Sequence, residues 1–244
     1  MFSTLVSQPL YNGLIGLLGL MPFFDAGVIV IIFTIIIKFI LLPLSVKASK
    51  AQLQMKSAEK DLNDIKEKYK DNKEDQAKKT IDYYRQKGIN PFSSIFILLI
   101  QLPIIIGLYQ VFLKSGLPNI DMNMLYEFVK TLAPTSPPDM MFLGLIDIAT
   151  KSLSLAIVAG ITTYFQMHIA TSSPTPNQPS KGKMQMDIAK AMSVQMKYFF
   201  PILVTFISYS ISAALALYWI TSNVFAIIQE LYIKKKYHKT TIVV

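Results

Sequence analysis

Ala26-Gly-Val-Ile-Val-Ile-Ile-Phe-Thr-Ile-Ile-Ile-Lys-Phe-Ile-Leu-Leu-Pro-Leu44 decides how the rest of the chain is read, because an almost uniformly apolar run encloses one full charge, Lys38. At about 1.5 Å per residue, a helix over this stretch is about 28 Å long, the hydrocarbon thickness of a bilayer. It predicts a membrane-spanning helix. Lys38 falls about 18 Å from one end and about 9 Å from the end that leads into the basic residues after Ser45. A lysine at that depth costs about 2.5 to 3.5 kcal/mol on insertion scales, and such residues usually face a bundle interior or a wet cavity. Two readings compete. The lysine stem can run along the helix and place its ammonium in the interface. Against this, Thr34, Lys38 and Ser45 stand at i, i+4 and i+11, one stripe of a 3.6-residue period.

Working outward, the 244 residues are 52% hydrophobic and only 16% charged, too apolar for an ordinary soluble domain and too charged to lie in a membrane throughout. The net charge of +9 is unevenly spread. Of 24 Lys and Arg, 12 lie between Lys47 and Lys87, 4 between Lys181 and Lys197 and 4 between Lys234 and Lys239. By the positive-inside rule these three segments are cytoplasmic, which leaves the N-terminus and the stretch from Lys114 to Lys151 outside. Five crossings satisfy that alternation, N-terminus out and C-terminus in. The absence of cysteine excludes disulfides, thiolate catalysis and cysteine-anchored lipidation. The first Lys or Arg is Lys38, so no positively charged leader of a cleavable signal is read before it.

The segments follow in order. Residues 1–25, with Leu10, Leu14, Leu17 and Leu18 and then Pro22, read as an amphipathic helix lying at the outer surface. The first crossing is 26–44, ending near Pro43. Residues 45–90 change to a soluble pattern: Met55, Ala58, Leu62, Ile65 and Tyr69 recur at steps of three and four, Asp71-Asn72-Lys73 breaks the run, and Ala77, Ile81 and Tyr84 resume it. This predicts an antiparallel helical hairpin in the cytoplasm. Its lysines suit anionic headgroups or nucleic acid, or are simply a solvated face that enforces topology. Asn90-Pro91 opens the second crossing, 91–113, interrupted by Gln101 and Pro103. The outer segment 114–150 reads as short helical pieces joined by turns, and 151–170 as the third crossing. Residues 171–195 form a Pro- and Ser-rich cytoplasmic loop. Thirty-eight nearly continuous apolar residues from Met196 to Ile233 are too long for one crossing. They must turn near Ser210-Ile211-Ser212, giving short fourth (196–211) and fifth (212–233) crossings before the basic tail, 234–244.

Every crossing carries sparse polar residues at helical spacing: Thr34, Lys38 and Ser45; Ser94 and Gln101; Thr162 and Gln166; Thr205, Ser208 and Ser212; Trp219, Ser222, Asn223 and Glu230. In any one helix such residues serve as interhelical hydrogen-bond glue. Five stripes with a lysine among them argue for a hydrated cavity. No H-E-x-x-H, G-x-S-x-G or phosphate-cradling glycine loop is present, and the two histidines, His168 and His238, lie far apart. Covalent catalysis and a cofactor are not expected.

Several stretches resemble the YidC insertases, relatives of the mitochondrial Oxa and chloroplast Albino proteins. They are Gln8-Pro-Leu-Tyr-Asn12, Lys38-Phe-Ile-Leu-Leu-Pro-Leu44, Asn90-Pro91 with Leu98-Leu-Ile-Gln-Leu-Pro103, Phe142-Leu-Gly144, Tyr164-Phe-Gln166, Met196-Lys-Tyr-Phe-Phe-Pro201, and Ala214-Leu-Ala-Leu-Tyr-Trp219 with Ser222-Asn223. The resemblance implies an all-α polytopic membrane protein of the short, lipobox-free bacterial form. Its five helices would surround a groove open to the cytoplasm and lipid but closed to the outside. Family members carry a positive residue, usually arginine, at the groove's centre; Lys38 matches it and keeps the charge without the guanidinium fork. Gln166 and Trp219 match groove-lining positions, and Ser212 and Ala214 stand where relatives commonly have Pro and Gly. The expected client-binding set is Lys38, Thr34, Gln101, Gln166, Trp219 and Asn223. The implied function is insertion of hydrophobic segments of nascent proteins into the bacterial plasma membrane. Nascent chains and lipid are the implied partners, the ribosome (through tail and hairpin) and the Sec translocon are candidate ones, and no DNA partner is expected. A small ion-coupled transporter is the alternative, but it normally shows internal repeats, which the chain lacks.

Overall fold

Asp25 starts the helix that carries Lys38. Its backbone is extended and its Oδ1 accepts from Val28 N at 2.9 Å, satisfying one of the orphan donors of α2 (Ala26–Ser57). The computed structural model describes residues 3–89, 93–114, 117–170 and 183–240, with side chains described at 4–58, 60–89, 101–112, 117–170 and 197–236. The expected start at Asn90-Pro91, the loop over residues 171–182 and the side chain of Ser94 lie outside these.

α2 does not stop at Pro43, where the sequence suggests the first crossing ends. It runs on to Ser57, about 48 Å in all. Proline removes one backbone hydrogen bond, but Ala48, Ser49, Ala51 and Met55 are buried beyond it, and that packing holds the C-terminal end helical. Ahead of α2, a π-helical turn (Ser3–Ser7) leads into α1 (Gln8–Leu20). Asn12 locks α1 in place: its amide donates to Gln8 O and Met124 O, both at 2.8 Å, and its carbonyl accepts from Tyr126 N at 2.7 Å. Gly19 permits the close approach, since a Cβ there would fall 1.5 Å from Leu132 O.

After α2 the chain forms a helical hairpin from α3 (Glu59–Lys68) and α4 (Lys73–Gln86). Met55, Ala58 and Leu62 pack with Tyr84 and Ile89 in a small core of their own. Asn72 caps α4, with Glu74 and Asp75 in the first turn where the helix dipole favours them. Gln76 Nε2 donates to Lys66 O at 2.8 Å across the turn, and Tyr83 OH donates to Asp61 Oδ2 at 2.6 Å between the arms. Gly88, at φ +63°, ends α4 in the left-handed region, and Ile89 N then bonds back to Tyr84 O at 2.9 Å.

α5 (Ser93–Lys114) continues through Pro103. The outer segment holds a 3₁₀ turn (Met122–Met124) and α6 (Glu127–Lys130). It also contains something the helical-pieces expectation misses, an antiparallel ladder of β1 (Met141–Phe142) and β2 (Ile146–Asp147). Leu143 and Gly144 between them have φ of +51° and +69°, the backbone that tight hairpins need.

Three more helices complete the bundle: α7 (Leu153–Ala170), α8 (Lys183–Ile211) and α9 (Ala213–Thr240). Ser212 separates α8 from α9. Ala213 N and Ala214 N, orphan donors of the α9 N-terminus, are accepted by Thr150 O at 2.8 Å and Ile148 O at 3.1 Å. α8 begins at Lys183, inside the segment read as loop, because residues 183–196 are mostly good helix formers such as Met, Gln, Lys and Ala. α9 likewise extends through Lys234–Lys236 into the basic tail. α7 and α8 meet closely at Gly160, where a Cβ would lie 1.9 Å from Thr205 Oγ1. Tyr11, Leu14, Ile29, Phe33, Leu108, Val111 and the run Ala213–Trp219 share one apolar core.

Among the described residues, Ala26–Ser57, Leu153–Ala170 and Ala213–Lys236 are long and apolar enough to cross a membrane. Gln101–Phe112 and Lys197–Ile211 are shorter apolar helices. The chain is a mainly helical membrane protein.

Candidate functional site

Lys38 is half-buried on α2, beside Phe39, whose ring meets Phe225 of α9 edge-on at 5.3 Å. Among the described residues no carboxylate lies within ion-pair distance of it. A lysine on a spanning helix usually faces the bundle interior or a water-filled cavity. Thr34, one turn earlier, is 1% exposed, and its hydroxyl donates to Val30 O at 2.7 Å within its own helix. That satisfies it locally.

Gln101 on α5 reaches across the bundle, donating from Nε2 to Tyr218 OH on α9 at 2.5 Å. Asn223 on α9 is buried and donates to Thr163 Oγ1 at 2.8 Å and Thr162 Oγ1 at 3.2 Å, tying α9 to α7. The two threonines themselves donate to Ala159 O, so each hydroxyl both gives and receives. Trp219 is buried in the shared apolar core, next to Tyr218. Gln166 is half-buried near the C-terminal end of α7. Tyr164, two residues earlier, has its ring 5.9 Å from that of His168 and 6.1 Å from that of Tyr198 on α8. The six positions singled out in the sequence therefore differ in kind. Lys38 and Gln166 are half-open, Gln101 and Asn223 bridge helices, and Thr34 and Trp219 are enclosed.

Other polar residues join this layer that sequence spacing did not single out as site residues. Ser45 Oγ donates to Gln229 Oε1 at 2.9 Å, linking α2 to α9 two residues after Pro43. Gln229 lies seven residues after Ser222, on the same α9 face, and that register was the available signal. Tyr218, the acceptor for Gln101, was hidden by its aromatic neighbours. Toward the C-terminal end of α9, Glu230 is buried 3.7 Å from Lys234, whose Nζ also donates to Ile169 O and so caps the end of α7. Ser208 and Ser212 keep buried hydroxyls without a partner among the described residues. The result is a set of polar residues in an apolar bundle, half-exposed at Lys38 and Gln166 and internally bonded at others.

Residues 19–240 match the family model described as 60Kd inner membrane protein. The chain belongs to the 60Kd inner membrane protein family. Relatives named membrane protein insertase YidC share it. The Fusobacterium nucleatum protein is 32% identical over 210 residues, 86% of this chain and 86% of its own. The Clostridium tetani protein is 30% identical over 215 residues, 88% of this chain and 84% of its own. The Francisella philomiragia protein is 30% identical over 214 residues, 88% of this chain but only 33% of its own length. Within the 60Kd inner membrane protein family, then, this chain spans most of some relatives and about a third of another.

Proposed function

We propose that this protein is a membrane protein insertase that moves hydrophobic segments of nascent proteins into the bilayer through a polar groove entered from the cytoplasm. The observation that carries the proposal is Lys38: a charge in the wall of a spanning helix, without a carboxylate partner among the described residues, in a chain whose relatives are named insertases. Family membership favours this reading over a transporter.

The physical task is to bring the polar flank of a client across about 30 Å of hydrocarbon, at a cost of several kcal/mol per charged group. A groove that lets water partway in shortens the dry path. Lys38 keeps that groove hydrated and attracts acidic residues of the crossing tail, while Gln101 and Gln166 offer hydrogen bonds along the way. Thr34, Trp219 and Asn223 shape the groove by holding the helices that wall it. The client's apolar helix leaves sideways into lipid. In this scheme the chain crosses a bacterial plasma membrane five times, N-terminus out and C-terminus in. The hairpin and the α9 lysines face the ribosome, and the Sec translocon is a further partner.

The test is insertion of a single-spanning client with a short acidic N-terminal tail into liposomes holding the purified protein, scored by protease protection. Protection above empty liposomes is expected. Lys38→Ala should reduce it at least about tenfold for acidic tails, the equivalent of roughly 1.4 kcal/mol of lost attraction, with Lys38→Arg retaining it. Equal insertion by Lys38→Ala would remove the charge-dependent part of the proposal.

A further inference from the structure

The outer hairpin breaks two habits of surface loops at once. Residues Met140-Met-Phe-Leu-Gly-Leu-Ile146 are seven apolar residues in a row outside every helix, and the tip is turned outward: Leu143 is 64% exposed and Leu145 79%. Leu143 also sits at φ +51°, a conformation in which Asn, Asp or Gly is comfortable and leucine is not. An exposed apolar side chain at a costly backbone position invites a functional explanation.

The hairpin is bolted to the bundle. Asp25, the cap of α2, uses its second oxygen to accept from Leu143 N at 3.2 Å, and Ala26 N donates to Asp139 O at 2.7 Å. Phe142 lies on α2 at Gly27, where any Cβ would come within 2.4 Å of its ring. On its other arm, Ile148 O and Thr150 O hold the start of α9. The tip is therefore fixed at the level where α2 and α9 begin, which is a membrane boundary. Past the exposed Lys151, α7 carries its own exposed apolar stripe at every fourth residue, Leu153, Ile157, Ile161 and Phe165. Phe23, two residues before Asp25, is 75% exposed at the same end. No charge interrupts residues 140–146. The flanking carboxylates of Asp139 and Asp147 accept from Met141 N and Ala149 N beside them.

We propose that this hairpin is a monolayer anchor: Leu143 and Leu145, with Phe23, enter the acyl chains of the leaflet at which α2 begins and fix the height of the bundle there. Lipid tails are the occupant because residues 140–146 are apolar and uncharged, and the exposed Lys151, between this patch and the apolar face of α7, stands where a headgroup phosphate would meet it. The anchor holds a non-spanning loop in the membrane, independently of what the groove carries.

The absence of native cysteine permits a direct test. Leu145→Cys carrying a nitroxide is measured in liposomes for relaxation by oxygen and by a water-soluble nickel chelate, beside Ile161→Cys as a lipid reference and Glu74→Cys as a water reference. The expected label at 145 is oxygen-accessible and nickel-shielded, like that at 161. Leu143→Asn suits the positive φ and keeps the turn folded. It should cut the inserted population about tenfold, since one leucine no longer gains from burial. Nickel access at 145 equal to that at 74 would overturn the proposal. Shielding from both reagents would overturn it too, by showing a protein surface over the tip, and an unchanged depth in Leu143→Asn would remove Leu143 from the anchor.

Discussion

Asn223 shows what one polar side chain in a spanning helix does. It donates twice to α7, and the threonines that receive those bonds remain satisfied as donors to Ala159 O when it is removed. Asn223→Ala therefore loses interhelical bonds without stranding a buried donor. We expect about 1 kcal/mol of lost stability, read as a small drop in thermal unfolding midpoint in detergent. If insertion instead falls while the midpoint holds, Asn223 contacts clients directly. The polar stripes were legible in the sequence as positions, but their roles were not. A periodicity places Thr34 and Lys38 on one face and does not reveal that the Thr34 hydroxyl is spent on Val30 O while the lysine has no acidic partner among the described residues.

Among the elements, the N-terminus of α2 is the most heavily used junction. One carboxylate caps the helix and holds the hairpin turn. Asp25→Ala should cost about 1 to 2 kcal/mol, more than an ordinary cap, because Leu143 N loses its acceptor as well. Thermal unfolding checks the magnitude, and Asp25→Asn, which can still accept, should recover part of it. In the α3–α4 hairpin, partial burial and the bond to Asp61 push the Tyr83 hydroxyl up to about 12. The folded hairpin thus retains a proton that the unfolded chain releases near 10, so its stability falls as pH rises from about 10 toward 12. Tyr83→Phe should remove a late step from the tyrosinate absorbance titration and flatten that loss. The alternation of Met55, Ala58, Leu62 and Tyr84 made this hairpin readable from sequence, since a soluble amphipathic pattern carries its own contacts. Element ends were less so. Pro43 looked like a terminus because its local cost is visible in sequence, whereas the packing of Ala48, Ser49, Ala51 and Met55 that outweighs it is tertiary. The two-residue strands escaped for a related reason: positive φ at Leu143 is imposed by Asp25 from far along the chain, not by leucine.

At the scale of the whole molecule, orientation is the property that charge segregation argues for and that solution experiments can decide. Single cysteines at Glu74 and Thr135, both exposed, should label from opposite sides of a sealed vesicle: position 74 only after permeabilisation of right-side-out vesicles, position 135 before it. Labelling of both from one side would overturn the alternating arrangement. The membrane character itself was plain in composition, and the resemblance carried by scattered short stretches was sufficient to find the family, because those stretches keep their order along nearly the entire chain.

The unbroken course of α2 through Pro43 makes it a lever. From Lys38 to Ser57 the helix is a rod about 28 Å long with its far end fastened to the hairpin core through Met55. A tilt of about 10° along this rod would sweep the hairpin end through roughly 5 Å. A pair of glycines at Val46 and Lys47 should therefore loosen the position of the hairpin relative to Lys38 while leaving both ends intact.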